Sequence, residues 1–283
     1  MSIKLVGIVG AGTMGNGIAQ ACAVAGIDAL ILDVNAAALE KGVATISASL
    51  DRLVKKEKIT AEQKAAAMAR VKTTQTLADL AASDYVIEAA TENEGLKIKI
   101  LKELDAALAP ETVIATNTSS ISITQLAAAT KRPDRFIGMH FFNPVPMMAL
   151  VELIRGLATS DATLAVAKEF SIALGKTPIT VKNSPGFVVN RILCPMINEA
   201  IFCLQEGLAT AEDIDAGMKL GTNQPIGPLA LADMIGLDIM IAVMNVFYEG
   251  FNDPKYRPAP LLKEMVAAGY LGRKTGRGFY VYP

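Results

Sequence analysis

The stretch from Lys4 to Asp33 constrains the fold more than any other part of the chain. Lys4-Leu5-Val6-Gly7-Ile8-Val9 is a short apolar run, Gly10-Ala11-Gly12-Thr13-Met14-Gly15 follows it, and Asn16 to Ala25 carries small and apolar residues at helical spacing. That order reads as strand, glycine turn, helix. A bare G-x-G-x-x-G is a weak signal, and it is also what a packing cluster of glycines looks like. Here Asp28-Ala29-Leu30-Ile31-Leu32-Asp33 adds a second strand that ends in an acid eighteen residues after Gly15, which packing does not explain. Glycines in this context permit a tight turn, close approach of the backbone to a pyrophosphate and close helix packing, while the helix N-terminus offers donors to an anion. Gly10, Ala11, Gly12, Thr13, Met14 and Gly15 are therefore expected to cradle a dinucleotide. Asp33 would accept hydrogen bonds from the adenine ribose and repel a 2′-phosphate, and no arginine follows at once to offset it, so NAD is expected over NADP.

The chain continues in the same style. Residues 36–75 read as a helical insertion of two helices, with Thr60-Ala61-Glu62-Gln63 able to cap the second. Tyr85 to Ala90 and Val113 to Thr116 are buried strands, each followed by a helix, and Asn117-Thr118-Ser119-Ser120 after the second resembles a helix cap. Alternating strands and helices predict an α/β fold, a Rossmann-like doubly wound, mostly parallel sheet with ligands beyond the strand carboxyl ends. Pro178 to Lys182 is the last strand, and Asn183-Ser184-Pro185-Gly186 marks a change. Ser184 is expected to cap, and Pro185 to open, a long helix from about Gly186 to Glu206, kinked at Pro195. Helices near 211–220, 228–235, 238–249 and 260–268 follow, so residues 1–184 are expected to form a nucleotide domain and 185–283 an all-helical second domain.

Composition enters where it excludes partners. A net charge of −1 argues against nucleic acid, and any polyanion must be met locally. Arg52, Lys55, Lys56 and Lys58 are a candidate anion clamp, although a basic run of this kind is also what a solvated helix face looks like. Cys22, Cys194 and Cys203 are odd in number and widely spaced, which suits buried thiols in a reducing compartment, and no metal-ligand spacing occurs. With its first strand close to the start, the chain is expected to be cytoplasmic. Leu229 to Phe247, the most apolar window, is broken by Asp233 and Asp238 and reads as core helices rather than a membrane span.

The only histidine, His140, ends the apolar run Arg135 to Phe141, before Asn143-Pro144 and Val145-Pro146 stop the strand. Twelve positions later Glu152 is the single ionisable residue of Ala149-Leu150-Val151-Glu152-Leu153-Ile154. A returning strand could bring the two together, and a histidine oriented by a carboxylate is a general base. A hydrogen-bonded structural histidine beside a strand-edge glutamate is the alternative.

Taken together, Gly7 to Gly15, Asn117 to Ser120, Gly138 to Pro146, Asn183 to Arg191 and Gly272-Arg-Lys-Thr-Gly-Arg-Gly-Phe279 resemble the L-3-hydroxyacyl-CoA dehydrogenase family, on its bacterial 3-hydroxybutyryl-CoA branch. The resemblance spans essentially the whole chain. It implies a catalytic dyad of His140 and Glu152, completed by Ser119 and Asn190, acting on an acyl-CoA substrate with NAD. It implies cofactor contacts at Asp33, Glu92, Lys97, Asn117, Ser119, Asn143 and Lys274, and substrate contacts at Ser49, Lys56, Ser119, Asn143 and Asn190. It also implies a homodimer formed through the helical domain. Two other functions fit the same fold: a β-hydroxyacid dehydrogenase acting on a small free acid with a catalytic lysine, or a non-enzymatic dinucleotide-binding relative.

Overall fold

The computed structural model describes residues 3–283, which divide between Ser184 and Pro185 into two compact units. The first is built on an eight-stranded sheet: β1 (Leu5–Val9), β2 (Asp28–Leu32), β3 (Val71–Thr74), β4 (Tyr85–Glu88), β5 (Val113–Thr116), β6 (Phe136–Phe141), β7 (Leu150–Arg155) and β8 (Thr177–Lys182). Their order is β3-β2-β1-β4-β5-β6-β7-β8. All neighbours run parallel except β6 and β7. The order reverses between β1 and β4, and at such a switch point the strand ends diverge and leave a crevice for a ligand.

The strands are as apolar as two-sided burial demands. Every residue of β4, β5 and β6 is buried. The helices of this unit are α1 (Thr13–Val24), α2 (Ala36–Lys55), α3 (Ala61–Ala69), α4 (Glu94–Ala107), α5 (Ile123–Ala127) and α6 (Asp161–Ala173). Ile8, Ile18, Ile31, Ile46, Leu50 and Ile87 are among the fully enclosed side chains of the resulting core. Side-chain caps set several helix starts. Asn35 caps α2, Ser160 caps α6, and Thr60 with Gln63 forms a complete capping box on α3.

Four readings of the sequence need correction. The 36–75 segment holds two helices and also β3, a four-residue, half-exposed edge strand on β2, whose Val-Lys-Thr-Thr has too few apolar positions to show a pattern. The Asn117 to Ser120 run does not cap α5, whose cap is Ser122. Helix α6 fills the stretch before β8, where the sequence carries no strong motif and predicts no helix. The long helix α7 (Val189–Gln205) begins later than expected and is not capped by Ser184. Gly186 and Phe187 take left-handed φ values of 70° and 55°, and a helix cannot pass through them. The Phe247 ring lies against Gly186, where an added Cβ would fall 2.0 Å from it, so both space and backbone demand glycine there.

The second unit comprises α7, α8 (Ala211–Gly221), α9 (Pro228–Ile235), α10 (Leu237–Phe251) and α11 (Pro260–Ala267). Its core gathers Ile197, Ile201, Leu229, Met240, Phe247 and Leu262. The buried Asp233 carboxylate accepts from the backbone N–H groups of Phe279 (2.9 Å) and Tyr280 (3.0 Å) and from the Tyr282 hydroxyl (2.9 Å), tying the C-terminal tail to α9. Arg191 lies over the Phe251 and Tyr256 rings at 3.9 and 4.5 Å, which fixes the first turn of α7. No single helix among the described residues is long and apolar enough to cross a membrane; α9 and α10 would be so only together, and they are bent by 99°. Cys22, Cys194 and Cys203 are free thiols, and burial pushes Cys22 and Cys194 up to about 12.

Candidate active site

At the switch point the chain leaves β1 through Gly10, whose φ of 105° suits only glycine and whose N–H donates to Leu32 O at 2.7 Å. An added Cβ would come within 2.7 Å of the Ala89 carbonyl at Gly10, and within 1.8 Å of Gly10 O at Gly15, whereas at Gly12 it would meet nothing within 4 Å. Two glycines are thus consumed by packing, and the middle one faces open space where α1 starts. Helix α1 has no side-chain cap and no acid in its first turn. Its first amides and positive dipole end are left to an anion, which is the arrangement a pyrophosphate needs. Asp33, at the end of β2, accepts from Ala11 N and Asn35 N, each at 2.9 Å. Beside it a cleft of about 360 Å³ is lined by Gly10, Leu32, Val34, Leu77 and Ile100 with Asp33, and by Lys99 and Glu103 of α4. These residues fit the adenosine end of a dinucleotide. Size alone does not select this cleft. Larger depressions of about 680 Å³ beside Arg132 and about 880 Å³ beside β3 contain none of the candidate residues.

The next layer of the site ties three strand ends together. Glu92, in the loop after β4, accepts from Thr118 Oγ1 (2.8 Å), Ser119 N (2.8 Å) and Ser119 Oγ (3.2 Å), so the loops after β4 and β5 meet at Ser119. Asn117 Oδ1 accepts from Phe141 N at 2.8 Å, locking the end of β5 to the end of β6. Lys97 lies beneath these loops. It is 0 % exposed, and its ammonium is paired with the equally buried Glu88 carboxylate and lies 3.4 Å from Thr116 Oγ1. Glu88 also accepts from Thr116 Oγ1 (2.7 Å) and from Ala90 N (2.9 Å). The Lys97 ammonium is thus committed to an internal pair at the carboxyl end of β4. The pair braces the strand ends beneath the cradle, where Ala89 and Ala90 pack on Gly10. Glu88 and Thr116 escaped the sequence reading, although a lone carboxylate closing an apolar strand is a visible signal.

His140 and Glu152 are register partners across the antiparallel β6–β7 pair, and their side chains share one face of the sheet. His140 Nδ1 and Glu152 Oε2 lie 2.8 Å apart, with the histidine 7 % exposed and the glutamate 0 %. An ionised carboxylate can only accept, so Nδ1 carries the proton and Nε2 is the basic nitrogen. The Phe142 ring packs on the imidazole at a centroid distance of 4.5 Å, a partner that sequence spacing did not single out. Asn143 is exposed in the connection that follows, joined by a cis peptide to Pro144.

The remaining candidates stand elsewhere. Ser49, half-buried, lies in the last two turns of α2, and Lys56, exposed, is the residue that caps its C-terminus, with Arg52 between them. Among the described residues, Arg52, Lys55, Lys56 and Lys58 enter no ion pair. Two residues of the second unit complete the set. Asn190 is half-buried in the first turn of α7, and Lys274 donates to both Asp238 oxygens at 2.5 and 2.6 Å. Burial works to raise the Asp238 carboxyl, but the Lys274 ammonium and nearby backbone amides hold it below its usual range.

Comparison with known proteins identifies the family. Residues 5–184 match the 3-hydroxyacyl-CoA dehydrogenase NAD binding domain and residues 186–282 the 3-hydroxyacyl-CoA dehydrogenase C-terminal domain. The chain is 57% identical over 280 residues to a 3-hydroxybutyryl-CoA dehydrogenase of Bradyrhizobium diazoefficiens, covering 99% of this chain and 96% of that one. It is 43% identical to the human mitochondrial hydroxyacyl-coenzyme A dehydrogenase, covering 99% and 91%. The crystal structure of (S)-3-hydroxybutyryl-CoA dehydrogenase from Ralstonia eutropha superposes over the whole of both chains with a TM-score of 0.98 at 70% identity. With both family domains matched in order over a sheet whose switch point carries a dinucleotide cradle, the chain belongs to the 3-hydroxyacyl-CoA dehydrogenase family and is an NAD-dependent dehydrogenase.

Proposed function

We propose that the protein interconverts (S)-3-hydroxyacyl-CoA and 3-oxoacyl-CoA thioesters, with short-chain 3-hydroxybutyryl-CoA and acetoacetyl-CoA as its pair. The buried His140–Glu152 hydrogen bond supports the reading, because it supplies a general base with its tautomer set by the carboxylate, near the carboxyl end of β6. In the oxidative direction His140 Nε2 takes the proton of the 3-hydroxyl, and the Glu152 carboxylate stabilises the imidazolium that forms. In the reductive direction the same nitrogen returns it. NAD supplies the hydride acceptor when bound. Gly10 to Gly15, Asp33, Glu92, Asn117, Ser119 and Asn143 would hold it, with Lys274 a further contact on family resemblance. Ser119 Oγ would turn its single proton from Glu92 to a substrate oxygen, its backbone N–H staying on Glu92, and Asn190 is proposed for the same task on resemblance alone.

The same assay tests substrate and cofactor. NADH oxidation followed by absorbance should proceed with acetoacetyl-CoA and fail with free acetoacetate, and the specificity constant for NADH should exceed that for NADPH by at least about tenfold, or about 1.4 kcal/mol. A 2′-phosphate beside Asp33 would juxtapose like charges. Turnover of free acetoacetate would point to the free-acid reading, and no turnover of either to a binding protein.

For the CoA handle, Ser49 and Lys56 are proposed. The end of α2 is also where cations favour the helix dipole, so these charges have a structural use as well. If Lys56 meets the nucleotide phosphates, Lys56→Ala should raise the Michaelis constant for acetoacetyl-CoA several-fold with little change in turnover, and the effect should fade with salt. Acetoacetyl-pantetheine, which lacks those phosphates, should be indifferent to the change. Equal impairment of both substrates, or of neither, would leave the run a solvated face. A homodimer through the second unit is likewise proposed, in keeping with exposed apolar side chains such as Ile192 (66 %) and Leu220 (87 %). The free cysteines suit a cytoplasmic setting.

A further inference from the structure

The connection from residue 142 to 149 joins the strand of His140 to the strand of Glu152 and has no regular structure of its own, yet four of its carbonyls are held. Pro144 O accepts from Met147 N (2.9 Å) and Met148 N (3.1 Å), and Ala149 O accepts from Thr177 N (2.7 Å). Two more are taken by one side chain. The Lys176 ammonium donates to Val145 O at 2.5 Å and to Met148 O at 2.8 Å. Lys176 is itself anchored at the turn out of α6, its N–H donating to Ser171 O at 2.9 Å, and its side chain is half-buried. On the opposite side Val145 is buried against Gly17 of α1, where an added Cβ would approach it to 2.9 Å. The connection is therefore clamped between the dinucleotide-binding helix and the start of β8. Phe142, which packs on His140, and Asn143 ride on it.

We propose that Lys176 is a positioning residue of the active site, holding the 142–149 connection so that Phe142 and Asn143 stay set beside His140. The proposal rests on the dehydrogenase reading given above. Charge-assisted hydrogen bonds are shorter and about twice as strong as neutral ones, and among the described residues no other side chain donates to these two carbonyls. Burial lowers the lysine's pKa without taking away its donors. Without the Lys176 ammonium both carbonyls lose their partner, and the connection keeps only the Val145 packing, its own turn and the Ala149–Thr177 bond at its end. A small shift there is enough to matter, since misplacement by about 1 Å can cost a hundredfold in rate.

The test compares Lys176→Met and Lys176→Arg with the unaltered protein. In the ligand-free protein, hydrogen exchange of the peptide spanning 142–149 should quicken in Lys176→Met and be largely restored in Lys176→Arg. With acetoacetyl-CoA, Lys176→Met should lower kcat roughly tenfold and leave the Michaelis constant for the thioester near its original value, because the CoA handle is held elsewhere. With 3-deuterated 3-hydroxybutyryl-CoA, the isotope effect on kcat should rise, since looser alignment slows the transfer step itself. Loss of folded protein would scale kcat and leave the isotope effect unchanged, and that result overturns the proposal. Unchanged exchange overturns it as well, because the connection is then not held by Lys176. If the unaltered protein fails to turn over acetoacetyl-CoA, the functional reading falls, and unequal exchange between the variants would still show the clamp.

Discussion

Replacing His140 with glutamine should lower turnover by about 10² to 10⁴, the usual share of general acid–base catalysis, and leave dinucleotide affinity nearly unchanged. Glutamine retains an N–H able to face Glu152 and so leaves no bare buried carboxylate, but it has no nitrogen that can accept a proton. Glu152→Gln attacks the same unit from the other side. The carboxylate accepts from Nδ1 inside the sheet, where it has no exposure, and an amide there neither fixes the tautomer nor offsets the charge of the imidazolium. A loss of the same order is expected, and the double variant should be little worse than either single one, because residues that act as a unit are strongly non-additive. The measurement is steady-state kinetics with acetoacetyl-CoA, with a thermal scan of each variant to show that it is folded. Near-unaltered turnover in a folded His140→Gln protein would return the histidine to a structural role.

The second large effect is on stability. Lys97 and Glu88 form an ion pair with no exposure on either side chain, and Thr116 and Ala90 complete its hydrogen bonds. Cutting one partner away leaves an uncompensated charge in the interior, at a cost of about 3–5 kcal/mol. Lys97→Met should therefore lower the unfolding midpoint by about 2–4 °C for each kcal/mol lost. Removing both charges together, as Lys97→Met with Glu88→Leu, should recover much of the loss, since apolar replacements of a buried pair are often neutral. If Lys97 instead touched the cofactor directly, Lys97→Met would weaken NADH binding at unchanged stability, and recovery by the second substitution would be absent. The two outcomes separate cleanly in a titration of NADH fluorescence beside a denaturant melt.

Other buried polar side chains serve the fold in the same way. Arg132 directs its guanidinium at the carbonyls ending α4, with Leu108 O at 3.1 Å and Asp105 O at 2.8 Å, and its Nε donates to the Asp105 carboxylate at 2.7 Å. Asp215 accepts from Leu229 N and Ala230 N at the start of α9. Each satisfies backbone groups that a helix end leaves without internal partners, and each spans a separation in sequence that no local motif announces.

Contiguous residues are enough to decide one part of this fold. The strand, glycine turn and helix from Leu5 to Val24, the acid at Asp33, the box at Thr60 and Gln63 and the alternation that yields a parallel sheet all follow from local backbone freedom, capping chemistry and hydrophobic period. The tertiary structure alone decided where distant side chains end. It turned Lys97 inward onto Glu88, set His140 opposite Glu152 through an antiparallel register, delayed α7 until the chain had passed the Phe247 ring, and sent Lys176 across to carbonyls some thirty residues earlier. It also found a place for β3, which only the exposed edge of β2 makes into a strand. A period in sequence says which face of an element is buried, but register, crossover and the search of each buried charge for a partner are settled only when the elements pack.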